Sequence, residues 1–233
     1  MRDITAIFIT SNAVPDAWAD YHKQVLLEAL DGIPIITVSR KPMDLGINIL
    51  DTDEPGTANY YRQFLRGAEL ATTDFVAVIE DDTLYSREHF RSFRPPLNSF
   101  GYNLNRWSIA TWGKPIYSRK ERGVGAAGIY PRLELIESFR EKVNALPKTG
   151  GFDVKVPCGE PGTGGEKDLK ITRRTSVTFY SKIPIIQFNH DYFTNADSSP
   201  EGVERRHHKG FGIVKAYDIP FWGKASNLVK YFK

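Results

Sequence analysis

The sequence predicts an α/β protein: a mostly parallel central sheet flanked by helices, followed by a loop-rich C-terminal region. Three observations predict it. Apolar, strand-forming runs at 4–10, 33–40 and 74–82 alternate with amphipathic stretches at 16–30 and 57–71. A β-α-β-α-β order of this kind pairs its strands in parallel through helical crossovers. All three runs end in polar residues, at the place where open α/β sheets bind ligands.

Each element follows from its residues. "ITAIFIT" (4–10) is β-branched and apolar, which fits a strand with both faces buried. From Asp16 to Leu30, Trp18, Tyr21, Val25 and Ala29 recur at helical spacing, with Asp16 as a cap or first-turn acid after Pro15. His22 then falls on the helix surface. "IPIITVSR" (33–40) is the second strand. Ala58, Tyr61, Leu65 and Ala68 share one face of a helix over 57–71, and "DFVAVIEDD" is the third strand with its polar end. "SREHFRSF" (86–93) reads as a short helix with Ser86 as cap and His89 on its surface. A strand is predicted at 106–112. A helix over 132–146 has Ile136, Phe139, Val143 and Leu146 spaced three and four apart. Residues 147–168 are rich in Gly and Pro and form a long irregular loop. Strands at 175–180 and 183–188 follow.

The stretch "TTDFVAVIEDDTLY" (72–85) carries the chemistry. An apolar run from Phe75 to Ile79 stops at Glu80, Asp81 and Asp82, three charges that repel one another at the end of a buried strand. Hard divalent cations take carboxylate oxygens, commonly one or two together with substrate phosphates. Glu80 and Asp82, at alternate positions, converge on one ion where the backbone turns sharply. The competing reading is a solvated turn whose acids cap the following helix. Two acid-bearing folds fit less well. Receiver domains carry their acidic pair after the first strand, and haloacid-dehalogenase-type phosphatases require Asp-x-Asp-x-Thr there.

The strand order, the segment "GTANYYRQFLRGAELATTDFVAVIEDD" and the acidic motif about eighty residues in resemble the nucleotide-sugar-dependent glycosyltransferases of the GT-A fold. The resemblance covers 1–90 well and 106–146 loosely. It implies one GT-A-like domain over 1–233, with a nucleotide-binding half at 1–105. An acceptor-binding half with a basic C-terminal segment then occupies 106–233. It implies Mn2+ or Mg2+ held by Glu80 and Asp82 on a nucleoside-diphosphate sugar, with Asp81 near the ribose. Glu80 stands where the family motif has Asp. Ser11, Asn12, Ser39 and Arg40 occupy positions where the family contacts base and ribose, and Arg62 and Arg66 fall where a basic residue approaches the nucleotide. "GAAGIYPRLELIESF" (125–139) matches the Gly- and Ala-rich segment near the donor sugar, where small residues permit close approach; tight strand-helix packing explains it equally. Metal-dependent members often add a late His, here His190 or His207. Inverting members use a carboxylate to activate the acceptor hydroxyl, for which Asp168 and Glu166 are the candidates, with Glu160 nearby; capping of "DLKITRR" is the alternative.

Charge and composition bound the rest. Net charge is +3, but cations cluster in "SRKERG" (118–123), "KITRR" (170–174) and "ERRHHKG" (204–210). Arg205, Arg206 and Lys209 suit a departing diphosphate. Trp112 and other aromatics of the second half offer stacking faces or core. The 41% hydrophobic fraction and 25% charged fraction are those of a globular domain. No apolar run nears the about 20 residues that span a bilayer, and "MRDITAIFITSN" reads as a strand, not a signal peptide. Cys158 has no cysteine partner in the chain, which fits a reducing cytoplasm.

The resemblance implies an acceptor hydroxyl on a saccharide or a small molecule, ahead of a hydroxylated DNA base. Two other functions compete. A nucleotidyltransferase prefers a Gly-rich basic loop after the first strand, where this chain has "SNAVPDAW". A non-catalytic nucleic-acid- or sugar-binding module would use the basic clusters and aromatics.

Overall fold

A computed structural model describes residues 3–146, 159–190 and 214–232. In chain order the first half comprises β1 (Ile4–Thr10), α1 (Asp16–Leu30), β2 (Ile35–Ser39), β3 (Ile47–Leu50), α2 (Thr57–Leu70), β4 (Phe75–Glu80), β5 (Thr83–Leu84) and α3 (Arg87–Arg91). The second half comprises β6 (Ser99–Asn103), β7 (Arg106–Ala110), β8 (Tyr117–Arg119), a 3-10 turn (Gly125–Ala127), β9 (Gly128–Pro131) and α4 (Arg132–Ala145). It continues with α5 (Glu166–Leu169), β10 (Thr175–Phe179), β11 (Ile185–Asn189), β12 (Lys215–Ala216), β13 (Asp218–Ile219), β14 (Gly223–Lys224) and α6 (Ala225–Val229).

The described strands form a seven-stranded sheet in the order β10-β6-β9-β4-β1-β2-β3 and a five-stranded sheet in the order β12-β8-β7-β11-β5. In the first, β4, β1, β2 and β3 run parallel, as do β6 and β10, while β9 is antiparallel to β4 and β6. The α/β class and its mostly parallel sheet are therefore observed. The second sheet was not foreseen. Strands expected at 106–112 and 183–188 belong to it, whereas the 175–180 segment forms the edge of the first.

Burial on both faces explains the unbroken apolar runs. On β1, Ile7 and Ile9 pack with Phe64 and Phe139 of α2 and α4, while Ala6 and Phe8 pack with Leu26 and Leu30 of α1. β4 splits likewise, with Val76 and Val78 on one face and Ala77 and Ile79 on the other. The parallel register aligns the carboxyl ends: Thr10 opposite Ser39, Ser39 opposite Leu50, and Glu80 opposite Ile9. A third apolar cluster joins the small sheet to the C-terminal segment through Trp18, Ile109, Phe188, Trp222 and Phe232.

Strand β3 escaped prediction for a local reason. "INIL" is only four residues long, and the connection from β2 is far shorter than a helical crossover. Gly46 makes that return possible: its φ is +68°, and a Cβ there would lie 2.2 Å from the carbonyl oxygen of Ile35.

Two helix assignments need correction. The buried face of α1 is Trp18, His22, Leu26, Ala29 and Leu30, so Tyr21 and Val25 flank it instead of centring it. His22 and His89 are buried at 3% and 0% exposure, not on helix surfaces. His22 stacks on Phe8 and bonds the Thr83 carbonyl at 2.9 Å, while His89 Nδ1 meets Asn103 Nδ2 at 3.1 Å. Ser86 holds the cap position of α3 without a side-chain capping bond. Asp16 lies in the first turn of α1 behind Pro15. Among the described residues, no helix is long and apolar enough to cross a membrane.

Burial lowers the imidazole of His22 to about 4 and that of His89 to about 3. Both are depressed below the unfolded value, so their contribution to stability is complete above about pH 6.5 and lost as pH falls through the folded values. Melting curves between pH 7.5 and 4.5 should therefore show a shallower acid decline for His22→Gln, whose amide still reaches the Thr83 carbonyl. Equal slopes for both proteins would exclude His22 as a source of that decline.

Candidate active site

The acidic turn after β4 is held by its backbone. The carbonyl of Asp81 accepts the Trp18 indole N–H at 2.7 Å, that of Asp82 accepts the Phe188 amide at 2.8 Å, and that of Thr83 bonds His22. Three successive carbonyls are thus fixed by α1 and β11, and the side chains inherit that rigidity. Tyr60 Oη donates to Glu80 Oε1 at 2.7 Å, Thr10 Oγ1 donates to Asp81 Oδ2, and Thr83 Oγ1 donates to Asp82 Oδ1 at 2.8 Å.

This turn borders a cavity of about 950 Å3 at the carboxyl ends of β1, β2 and β4. The start of α2, residues 121–125, Glu160 and His190 complete its wall. Gly125 is there for a steric reason. A Cβ would sit 2.3 Å from Tyr60 Oη and 3.4 Å from Glu160 Oε2. Glycine lets Tyr60, Glu80 and Glu160 approach the same wall.

The electrostatics are those of crowded acids. Burial pushes Glu80 up to about 7, against the Tyr60 bond and with the charges of Glu160 and Asp81 adding to it. Burial raises Asp81 to about 6, opposed by Thr10. Asp82, 4% exposed, is raised well above the usual carboxylate range by burial and then by Glu80 and Asp81. Burial also raises Glu160, with Lys142, Arg122 and Arg106 acting the other way. Arg106 is itself buried, lowered to about 10 by burial and by Arg122, and it donates to Gln187 Oε1 at 2.5 Å.

Glu80 and Asp82 supply oxygen donors of the kind that Mg2+ and Mn2+ take. Among the described residues, no three His, Cys, Asp or Glu side chains form a ready metal cage. A two-carboxylate site completed by ligand oxygens fits this donor set, and a cation there would take the place of the protons that the raised carboxyls otherwise hold.

Of the residues singled out in the sequence, Ser11, Arg40, Glu80, Asp81, Asp82 and His190 line the cavity together. His190 is 5% exposed and stacks on Phe232. The others lie elsewhere. Asn12, at φ +54°, accepts the Lys41 amide at 2.9 Å and joins the loops after β1 and β2. Ser39 is buried and donates to the Lys41 carbonyl. Arg62 pairs with Asp53, and Arg66 with Asp51 and Asp53. Glu166 is 1% exposed and accepts the amides of Gly162 and Gly164, which closes its own loop. Asp168 is exposed on α5. Neither of these two acids is among the cavity-lining residues. Arg205, Arg206, His207 and Lys209 lie outside the described residues, as does Cys158.

Three contributors were not assigned from sequence. Tyr60 and Arg106 carry no local signal, and Arg122 is visible only as part of the 118–123 cluster. Glu160, named from sequence beside Asp168 and Glu166, is the one of the three acids that borders the cavity.

No protein-family model matches the chain. No curated protein matches it in sequence. Solved structures are similar to it. The inositol-1-phosphate CTP transferase from T. maritima is similar at 10% identity and TM-score 0.52, over 90% of this chain and 96% of that one. The mannosyltransferase PcManGT from Pyrobaculum calidifontis, in complex with GDP-Man and Mn2+, is similar at 15% identity and TM-score 0.47. That match covers 80% of this chain and 56% of the mannosyltransferase. S. aureus TarS 1-349 is similar at 12% identity and TM-score 0.46, over 80% of this chain and 60% of that one. The likeness to the CTP transferase shows the fold alone: a helix-flanked, mostly parallel sheet.

Because Glu80 is raised, its ionisation opposes folding, and stability falls as pH rises from about 4.3 through about 7. Glu80→Gln keeps the Tyr60 bond and removes the charge. Without ligand at pH 8 it should raise Tm by about 2–4 °C, roughly 1 kcal/mol for a chain of this size. A lower Tm would contradict repulsion within the turn.

Proposed function

We propose that this protein is a metal-dependent glycosyltransferase that moves a sugar from a nucleoside-diphosphate donor to an acceptor hydroxyl. One observation carries the reading: buried acids on a rigid turn at the end of β4, opening into a cavity that also holds Arg40 and Arg122. Repelling acids kept in such a place fit a cation and a polyanion that bind together.

In this reading Glu80 and Asp82 hold Mn2+ or Mg2+. When bound, that ion supplies charge neutralisation at the diphosphate oxygens. Asp81, anchored by Thr10, faces the ribose. Arg122, and Arg106 behind it, stabilise charge on the departing diphosphate. Of the three candidate acids Asp168, Glu166 and Glu160, Glu160 takes the role of base, because it borders the cavity and burial raises its carboxyl above the ordinary value. It accepts the proton of the acceptor hydroxyl as that oxygen bonds to the anomeric carbon. The bond from that carbon to the diphosphate breaks, and its electron pair leaves with the diphosphate. His190 sits on the same wall as a candidate third ligand.

The loop after β1, "SNAVPDAW", has neither glycine nor basic residues, which counts against a nucleotidyltransferase. The products decide between the two. A glycosyltransferase releases a nucleoside diphosphate, whereas a nucleotidyltransferase releases pyrophosphate.

UDP, GDP, CDP or ADP with Mn2+ should raise Tm by several degrees, because ligand at 100 times Kd stabilises by about 2.7 kcal/mol. Asp82→Ala should lose that shift and lower sugar transfer about 1,000-fold. Glu160→Gln should lower kcat about 100-fold or more at nearly constant donor KM. Full activity of Asp82→Ala with Mn2+, or nucleic-acid binding without any nucleotide shift, would overturn the reading.

A further inference from the structure

One carboxylate outside the acidic turn gathers most of the polar side chains at the far end of the cavity. Asp51 follows β3 and is 2% exposed. Its Oδ2 accepts Asn59 Nδ2 at 2.8 Å and Gln63 Nε2 at 2.6 Å, with Arg40 Nε at 3.5 Å. Its Oδ1 accepts Arg66 Nη2 at 2.9 Å and the Asp53 amide at 3.3 Å. Its own amide donates to the Ser39 carbonyl at 2.8 Å, and its carbonyl accepts Arg40 Nη1 at 3.3 Å. Burial alone would raise this carboxyl, but the bonds from Asn59 and Gln63 and the charge of Arg40 hold it below the ordinary value. It is an anion with its lone pairs filled.

Three of those partners, Arg40, Asn59 and Gln63, line the cavity. Arg66 approaches Asp51 without lining it. An amide that donates to a carboxylate cannot flip, because the flip would set oxygen against oxygen. Asp51 therefore fixes which atom of Asn59 and of Gln63 is donor and which is acceptor. Asn59 Oδ1 is left buried without a hydrogen-bond partner among the described residues.

Position identifies the ligand part. In the order β4-β1-β2-β3, the end of β3 lies three strands from Glu80, about 14 Å at roughly 4.8 Å per strand. A nucleotide whose diphosphate sits at the acidic turn brings its base toward that end.

We propose that Asp51 is a positioning residue that locks Arg40, Asn59 and Gln63 into a fixed pattern of donors and acceptors reading the polar edge of a nucleobase. This rests on the nucleotide reading of the cavity. It accounts for Arg62 and Arg66 facing Asp51 and Asp53: Arg66 acts on the ligand through Asp51.

Calorimetric titration with UDP, GDP, CDP, ADP and pyrophosphate, each with Mn2+, tests it. The wild-type protein should prefer one nucleotide by about 10-fold or more. Asp51→Asn should weaken that nucleotide about 10-fold and shrink the preference below about 3-fold, with pyrophosphate affinity within about 2-fold of wild type. Arg66→Gln, which touches Asp51 from outside the cavity, should shrink the preference in the same direction and keeps the test intact if Asp51→Asn does not fold. Unchanged preference in these variants, or an equal loss for pyrophosphate, overturns the role of Asp51 alone. So does a wild-type protein that binds all four nucleotides equally. A wild-type protein that binds none of them overturns the nucleotide reading and this inference together.

Discussion

Like charges confined at the end of a buried strand are the constraint on which this structure turns. Glu80, Asp81 and Asp82 cannot spread apart, because Trp18, the Phe188 amide and His22 bind the three carbonyls that follow Glu80. Nor does water fully solvate them, since Asp82 is 4% exposed. A turn free to relax would lower its repulsion by rotating outward. This one is held inward by a helix and a strand that are far away in sequence, so the crowding persists, and the proposed cation would relieve it.

The rest of the architecture serves that turn. The parallel register of β4, β1 and β2 brings their polar ends to one edge, and β11 of the second sheet caps the turn from the other side. The second sheet also brings in Arg106, while Arg122 enters from the segment after β8, so positive charge stands near the acids without collapsing onto them. Gly125 removes the side chain that would keep Tyr60 and Glu160 off the wall. At the other end, Asp51 organises a second anion-centred node of opposite character: its negative charge is fully engaged by protein donors. One acid cluster is crowded with like charges, which the proposed cation would relieve. The other is already satisfied and acts as a scaffold.

How much of this was legible in the sequence follows from how far each signal reaches. β1 and β4 are apolar on both faces, so their runs announced a buried parallel sheet, and α2 and α4 showed their faces by three-and-four spacing. The acidic turn stood out because three charges after an apolar run are locally improbable. What failed was long-range or conditional. His22 and His89 resemble surface residues until Phe8, Thr83 and Asn103 are brought beside them. Arg62 and Arg66 have the spacing of a nucleotide-facing pair, yet Asp51 and Asp53 claim them. Glu160 and Glu166 are both acids in a Gly-rich loop. The turn at 162–165 directs one to the cavity and the other to its own backbone amides. Pairings across the sheet leave no trace in local periodicity.

The most direct measurement is anomalous diffraction at the manganese edge from crystals grown with Mn2+ and the nucleoside diphosphate that binds best. The expected result is a single strong peak within coordination distance of carboxylate oxygens of Glu80 and Asp82, in contact with the diphosphate. A nucleotide bound in the cavity with no peak at those two side chains would contradict the claim that repulsion in the turn exists to hold a cation.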